Sequence, residues 1–167
     1  MPKFAPLLAM AALAGAATLA VGADQPVIGL ITKTDTNPFF VKMKEGAEQM
    51  AKSRGARLLT AAGKQDGHNA AQVTAIENMM TAGARTILIT PNDSKAIVPA
   101  IQKARAKGVM VIALDSPTDP RDATDALFAT DNYKAGILIG EYAKAALAGK
   151  PARSVTLDLF PGHPVGA

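Results

Sequence analysis

The residues best equipped for chemistry cluster in one short segment, where the apolar run Val27-Ile28-Gly29-Leu30-Ile31-Thr32 gives way to Lys33-Thr34-Asp35-Thr36 and then Asn37-Pro38-Phe39-Phe40. The loop has no G-x-G-x-x-G and no G-K-[ST], so a backbone cradle for phosphate is missing. It offers hydroxyls, a carboxamide and two aromatic rings. Those groups suit a neutral polyhydroxylated molecule whose C–H face lies on a ring while its hydroxyls find hydrogen bonds. Asp115, directly after the apolar run 109–114, adds a carboxylate that accepts two hydrogen bonds without a metal. The other carboxylates nearby, Asp119, Asp122 and Asp125, share a turn-rich loop that cannot hold two of them at glycosidase spacing. Asn92-Asp93-Ser94 reads as a helix cap. There is no G-x-S-x-G elbow for a hydrolase nucleophile. His68 and His163, with no cysteine to join them, cannot complete a zinc site. No catalytic residue, metal or cofactor is expected, and the chain does not read as an enzyme.

The elements that must position these groups follow from periodicity and stop signals. Val27–Thr32 reads as a buried parallel strand, and Asn37-Pro38 as a helix start with proline in its first turn. A helix, a glycine and a strand then recur three times. The first helix covers 38–53, with Phe40, Met43, Ala47, Met50 and Ala51 inward, ends at Gly55 and leads into strand 57–61. The second covers 69–82, with Val73, Ile76 and Met80 inward, and leads through Gly83 into strand 85–90. The third covers 94–107, with Ile97, Val98, Ile101 and Ala104 inward, and leads through Gly108 into strand 109–114. Apolar strands alternating with helices predict a doubly wound parallel α/β sheet with right-handed crossovers. Such a sheet places its ligands at the carboxyl edge of the strands, where the Asn37 loop and Asp115 fall.

Residues 115–126 are polar and carry prolines, which predicts a crossing loop. A short strand at 127–130 and a helix at 133–147, with Ile137, Ile139, Tyr142 and Ala146 inward, follow. Gly149 and a further strand over Ser154–Leu159 complete the pattern, and the latter lacks the covering helix it calls for. This reads as an interrupted second lobe.

Four motifs stand in one order: the strand and loop ending in Asn37-Pro38-Phe39-Phe40, the run Ile89-Thr90-Pro91-Asn92-Asp93-Ser94, the strand end Ala113-Leu114-Asp115, and Phe128-Ala129-Thr130-Asp131-Asn132. Together they resemble the type I periplasmic sugar-binding proteins of bacterial ABC importers, the ribose and fructose receptors in particular. Thr32 to Phe40 with Leu114-Asp115-Ser116-Pro117 looks closer to the fructose-binding branch. The resemblance implies two lobes closing around a monosaccharide and presenting it to a membrane permease. It implies sugar hydrogen bonds at Asn37, a stacking wall from Phe39 and Phe40, acceptance from adjacent hydroxyls at Asp115, and a contact near the hinge at Thr130. Thr90 stands where ribose receptors use Asn, Lys33 where they use a small hydroxyl residue, and Ser116 where many relatives place Arg. These departures place ribose itself in question.

Composition agrees with an exported protein. Residues 1–23 combine Lys3, an apolar stretch from Leu7 to Val21 and the ending Val21-Gly22-Ala23, the pattern of a cleaved secretory signal. The apolar part is shorter than the roughly 20 residues a membrane-spanning helix needs. Without cysteine there is no disulfide framework and no site for a lipid anchor. Removing residues 1–23 takes one Lys and no acid from the formal charge of +4, and the basic residues left are scattered, so no nucleic-acid surface is indicated. The expected organisation is a signal peptide (1–23), a sugar-binding N-terminal lobe (24–130) and the truncated start of a second lobe (131–167), in a monomeric periplasmic protein. Two competing expectations are a sugar sensor docking to a signalling receptor, and a fragment whose half-site binds little on its own. Sugar-responsive repressors of this fold would need a helix-turn-helix where the signal stands.

Overall fold

The structure, a computed structural model, describes residues 25–65, 67–151, 153 and 155. The signal segment and nearly all of the strand expected over Ser154–Leu159 lie outside the described residues.

Five parallel strands form one sheet in the order β2-β1-β3-β4-β5: β1 (Val27–Thr32), β2 (Arg57–Ala62), β3 (Thr86–Ile89), β4 (Met110–Leu114) and β5 (Ala126–Phe128). The register pairs Ile31 with Ala61 on one side and with Ile89 on the other, and Ala113 with both Ile89 and Leu127. Three helices connect the first four strands: α1 (Pro38–Ser53), α2 (Asn69–Thr81) and α3 (Val98–Ala106). From β1 the chain steps outward to β2, then back across β1 to β3 and on to β4. Right-handed crossovers therefore put α1 on one face and α2 and α3 on the other. The expected doubly wound α/β architecture is the one found.

Strand side chains alternate between the faces. Ile31, Ile87, Ile89 and Val111 meet Ile76, Met79, Ile101 and Ala104 of α2 and α3 in one buried cluster. Gly29 lies within it, and a Cβ there would collide with the Met79 sulfur. The opposite face is unevenly covered. Leu30 of β1 and Phe40 of α1 are buried, while Leu88, Ile112 and Leu114 are half-buried and Met110 is exposed.

Local chemistry sets the helix ends. Asn37 caps α1 by accepting from the Phe39 amide, with Pro38 beside it. Gly83, at φ 83°, lets α2 end with Ala84 N–H bonded back to Met79 O at 3.0 Å. The third helix departs from expectation. It begins at Val98 rather than Ser94, because the Asp93 carboxylate holds the amides of Lys95 and Ala96 in a separate turn and Pro99 is tolerated only in a first helical turn.

Two expected inward faces also need correction. Met50 of α1 is exposed, since α1 packs on β1 and β2 and buries only Phe40 and Ala51. The last helix, α4 (Asn132–Leu147), buries nothing: Ile137, Ile139, Tyr142 and Ala146 are all exposed. It follows β5, an edge strand of three residues, all exposed, and no sheet or helix surface among the described residues covers its apolar side.

Candidate functional site

Because the strands are parallel, the segments leaving β1, β3, β4 and β5 emerge at one edge, and they carry Lys33 and Asn37, Thr90, Asp115 and Thr130 respectively. Asn37 is exposed. One use of its carboxamide is fixed, since Oδ1 accepts from Phe39 N–H at 2.9 Å. The two rings divide the labour expected of both. Phe40 is 5% exposed and belongs to the core under α1, whereas Phe39 is 54% exposed. Their centroids stand 5.2 Å apart at 74°, an edge-to-face pair in which the buried ring braces the exposed one. Adjacent positions on a helix point about 100° apart, so the sequence forces this split.

Asp115 occupies an uncommon backbone state. Its φ is 62°, Ser116 N–H donates to Leu114 O across it at 2.6 Å, and its own N–H donates to Phe128 O at 2.8 Å. This is the strained form of the γ-turn, and holding a non-glycine residue there costs on the order of 1–3 kcal/mol. The turn leaves the side chain half-buried at the mouth of the sheet, where Oδ2 accepts from the Ser116 hydroxyl at 3.2 Å. A carboxylate so placed keeps lone pairs for further donors.

Lys33 and Thr90 are not surface groups. They are 4% and 0% exposed, and the Thr90 hydroxyl lies 3.9 Å from the Met43 sulfur. Both sit beneath the rim rather than on it. Thr130 is exposed, at the start of the segment leading into α4. On the β2 side of the Asn37 loop, a hollow of about 280 Å³ opens between Thr34, Asp35, Phe40, Lys44 and Thr60.

The remaining carboxylates are dispersed, as the sequence implied. Asp119 pairs with Lys95 at 3.3 Å. Asp125 lies toward the opposite edge, accepting from Val111 N–H at 2.7 Å and from Arg105 at 2.8 Å. The Val111 amide, helped by the Arg105 guanidinium, holds the Asp125 carboxyl below the usual carboxylate range. Asp125 is thus a clamp between α3 and the loop before β5, and it has no part in the edge chemistry.

Two buried side chains at the edge were not anticipated as parts of the site. Gln72 of α2 is fully buried and bonds to the backbone of Thr32 at the end of β1 and of Thr90 just beyond β3, and Asn92 is buried rather than serving as a cap. Asp93 accepts from the Lys95 and Ala96 amides in the turn that precedes α3, and α3 itself starts at Val98 without a side-chain cap.

The profile of the periplasmic binding protein domain matches residues 28–166. The ribose import binding protein of Bacillus subtilis (strain 168) is 35% identical over 135 residues, 81% of this chain and 43% of that protein. An ABC transporter periplasmic solute binding protein from Actinobacillus succinogenes, solved with bound D-allose, superposes with a TM-score of 0.74 at 31% identity over 85% of this chain and 51% of that one. A periplasmic component of an ABC-type sugar transport system from Hahella chejuensis gives 0.76 at 29% identity, over 84% of this chain and 51% of that one. The chain spans about half the length of these relatives. It belongs to the periplasmic binding protein domain family.

Proposed function

We propose that this chain supplies one jaw of a periplasmic receptor that captures a monosaccharide and delivers it to the permease of an ABC importer. The supporting observation is the carboxyl edge itself, which carries a half-buried carboxylate at Asp115 in a strained turn after β4, and an exposed amide at Asn37 and an exposed ring at Phe39 after β1. In this reading Asp115 accepts from two adjacent hydroxyls, the amide of Asn37 donates to a third, and Phe39 lies under the C–H face with Phe40 bracing it. Lys33 and Thr90 form the floor, and Thr130 adds a contact where the chain leaves the sheet. Closure, not bond chemistry, is the working step. Residues 1–23 direct export and are removed, residues 24–130 form the jaw, and residues from 131 onward open the other lobe.

The relatives include a ribose import binding protein, a D-ribose/D-allose-binding protein and a D-apiose import binding protein, which fits a monosaccharide of five or six carbons, ribose-like or fructose-like. A jaw that provides half the contacts of a micromolar site, about −8 kcal/mol, retains about −4 kcal/mol, or roughly millimolar affinity. The test is an NMR titration of the isotope-labelled chain with D-ribose, D-allose and D-fructose, with mannitol as the open-chain control. Saturable shifts at Asn37, Phe39 and Asp115 with a cyclic sugar, abolished in Asp115→Ala, are expected. No shift at these residues with any sugar at tens of millimolar would overturn the reading.

A further inference from the structure

Parallel strands that open a cleft must separate at their carboxyl ends, and separation strips backbone groups of their ladder partners. Between β1 and β3 the last backbone rung is Thr90 N–H donating to Ile31 O at 2.9 Å. Beyond it two side-chain amides take over. Gln72 Nε2 donates to Thr90 O at 2.8 Å and to Thr32 O at 3.1 Å, and Gln72 Oε1 accepts from Asn92 N–H at 2.9 Å. Asn92 Nδ2 in turn donates to Lys33 O at 3.3 Å and to His68 O at 3.4 Å. Both side chains are buried, at 0% and 1% exposure. Gly63 closes against them, and a Cβ there would collide with the Asn92 amide and the Lys33 carbonyl.

A primary amide carries the same donor and acceptor as a peptide unit, so Gln72 works as a detached rung, wider than a backbone rung and adjustable through its side-chain torsions. It bridges strands whose backbones have parted. Asn92 extends the bridge to the first residue of the β1–α1 loop and to the entry of α2. Every connection is from side chain to backbone, so the pair fixes main-chain positions whatever the neighbouring side chains are.

We propose that Gln72 and Asn92 are positioning residues of the cleft: a two-amide latch that holds the Lys33–Asn37 loop and Thr90 at one spacing. Its consequence for binding rests on the sugar-cleft reading above, whereas the latch itself does not. A residue serving stability alone would loosen the whole fold when removed. A latch loosens the edge first.

The experiment compares Gln72→Met and Asn92→Ala with Ile76→Val, a core change away from the edge, in the isotope-labelled chain. Amide exchange is read at Asn92 and Thr34 on the edge and at Ile87 and Val111 in the core. Both latch variants are expected to speed exchange at the edge at least tenfold more than in the core, whereas Ile76→Val moves all four together. Sugar shifts at Asn37 are expected to need at least tenfold more ligand in the latch variants and unchanged ligand in Ile76→Val. Should Gln72→Met not fold, Asn92→Ala, which lies outside any helix or strand, decides. Edge amides that exchange in step with the core, or unaltered sugar affinity in both folded variants, would overturn the latch. If the unaltered chain shows no sugar shift at all, the sugar reading fails and the exchange contrast alone settles the latch.

Discussion

Helices α3 and α4 make an instructive pair. The shorter one, α3, buries Val98, Ala100, Ile101 and Ala104 against β4 and α2. The longer one, α4, carries Ile137, Leu138, Ile139, Tyr142 and Leu147, yet all of its residues are exposed. Apolar content is thus no measure of burial. It says that a helix needs a covering surface, and the surface must be supplied by something else: for α3 by strand β4 beneath it and helix α2 beside it, for α4 by nothing among the described residues. The strand before α4 shows the same lack, with Phe128 66% exposed. A helix of this length has only marginal stability of its own in water, so among the described elements α4 gains least from packing.

The contrast breaks if equal truncations in the two regions cost the same. Ile101→Ala removes a fully buried side chain and is expected to cost about 3–4 kcal/mol, while Ile139→Ala stays within about 0.5 kcal/mol, both by urea unfolding of the chain. Equal losses would mean that α4 is docked in solution.

A smaller effect sharpens how firmly α3 is held. Asp125→Asn weakens the tie from α3 and β4 to the loop before β5, with an expected loss of about 1–2 kcal/mol at neutral pH. The folded-state pKa of Asp125 is lowered, so the carboxylate form favours folding. Its contribution is complete above the ordinary carboxylate range, near pH 4, and disappears as pH falls through the lower folded value. Thermal melts of the two proteins should therefore diverge at pH 6 and converge on acidification below about pH 4. A constant gap would show that the amide substitution acts through packing instead.

The least costly change tests the edge itself. Asn37→Ala removes the α1 cap and is expected to lower stability by about 1 kcal/mol while raising exchange at the Phe39 amide. That loss should be the same with and without Ile139→Ala, because the two sites share no contact.

The architecture was readable because its signals are local. The run 27–32, the cap and proline at 37–38, and the glycines that close α2 and α3 each specify a boundary within a few residues. The start of α3 was misplaced because Asp93 competes for the same amides that a helix beginning at Ser94 would have used. The apolar stripe Val73, Ile76 and Met80 leaves out Gln72, which the helix buries. The spacing Gln72, Ala75, Ile76, Met79 fits one helical face equally well, and a carboxamide on an apolar face was the available signal. The inward face assigned to α4 failed for another reason, since its partner is not encoded near it. The turn at Asp115 had no signature at all, because a non-glycine residue at positive φ is held there by Leu114 and Phe128, one of them distant in sequence.

That turn bears on any attempt to engineer the protein. Position 115 is where glycine would adopt φ 62° without the steric penalty that aspartate bears, a gain set against the greater entropy glycine loses on folding. Such a replacement would discard the anion at the mouth of the sheet. The backbone at this position favours glycine, whereas the side chain it carries is the only source of a carboxylate there.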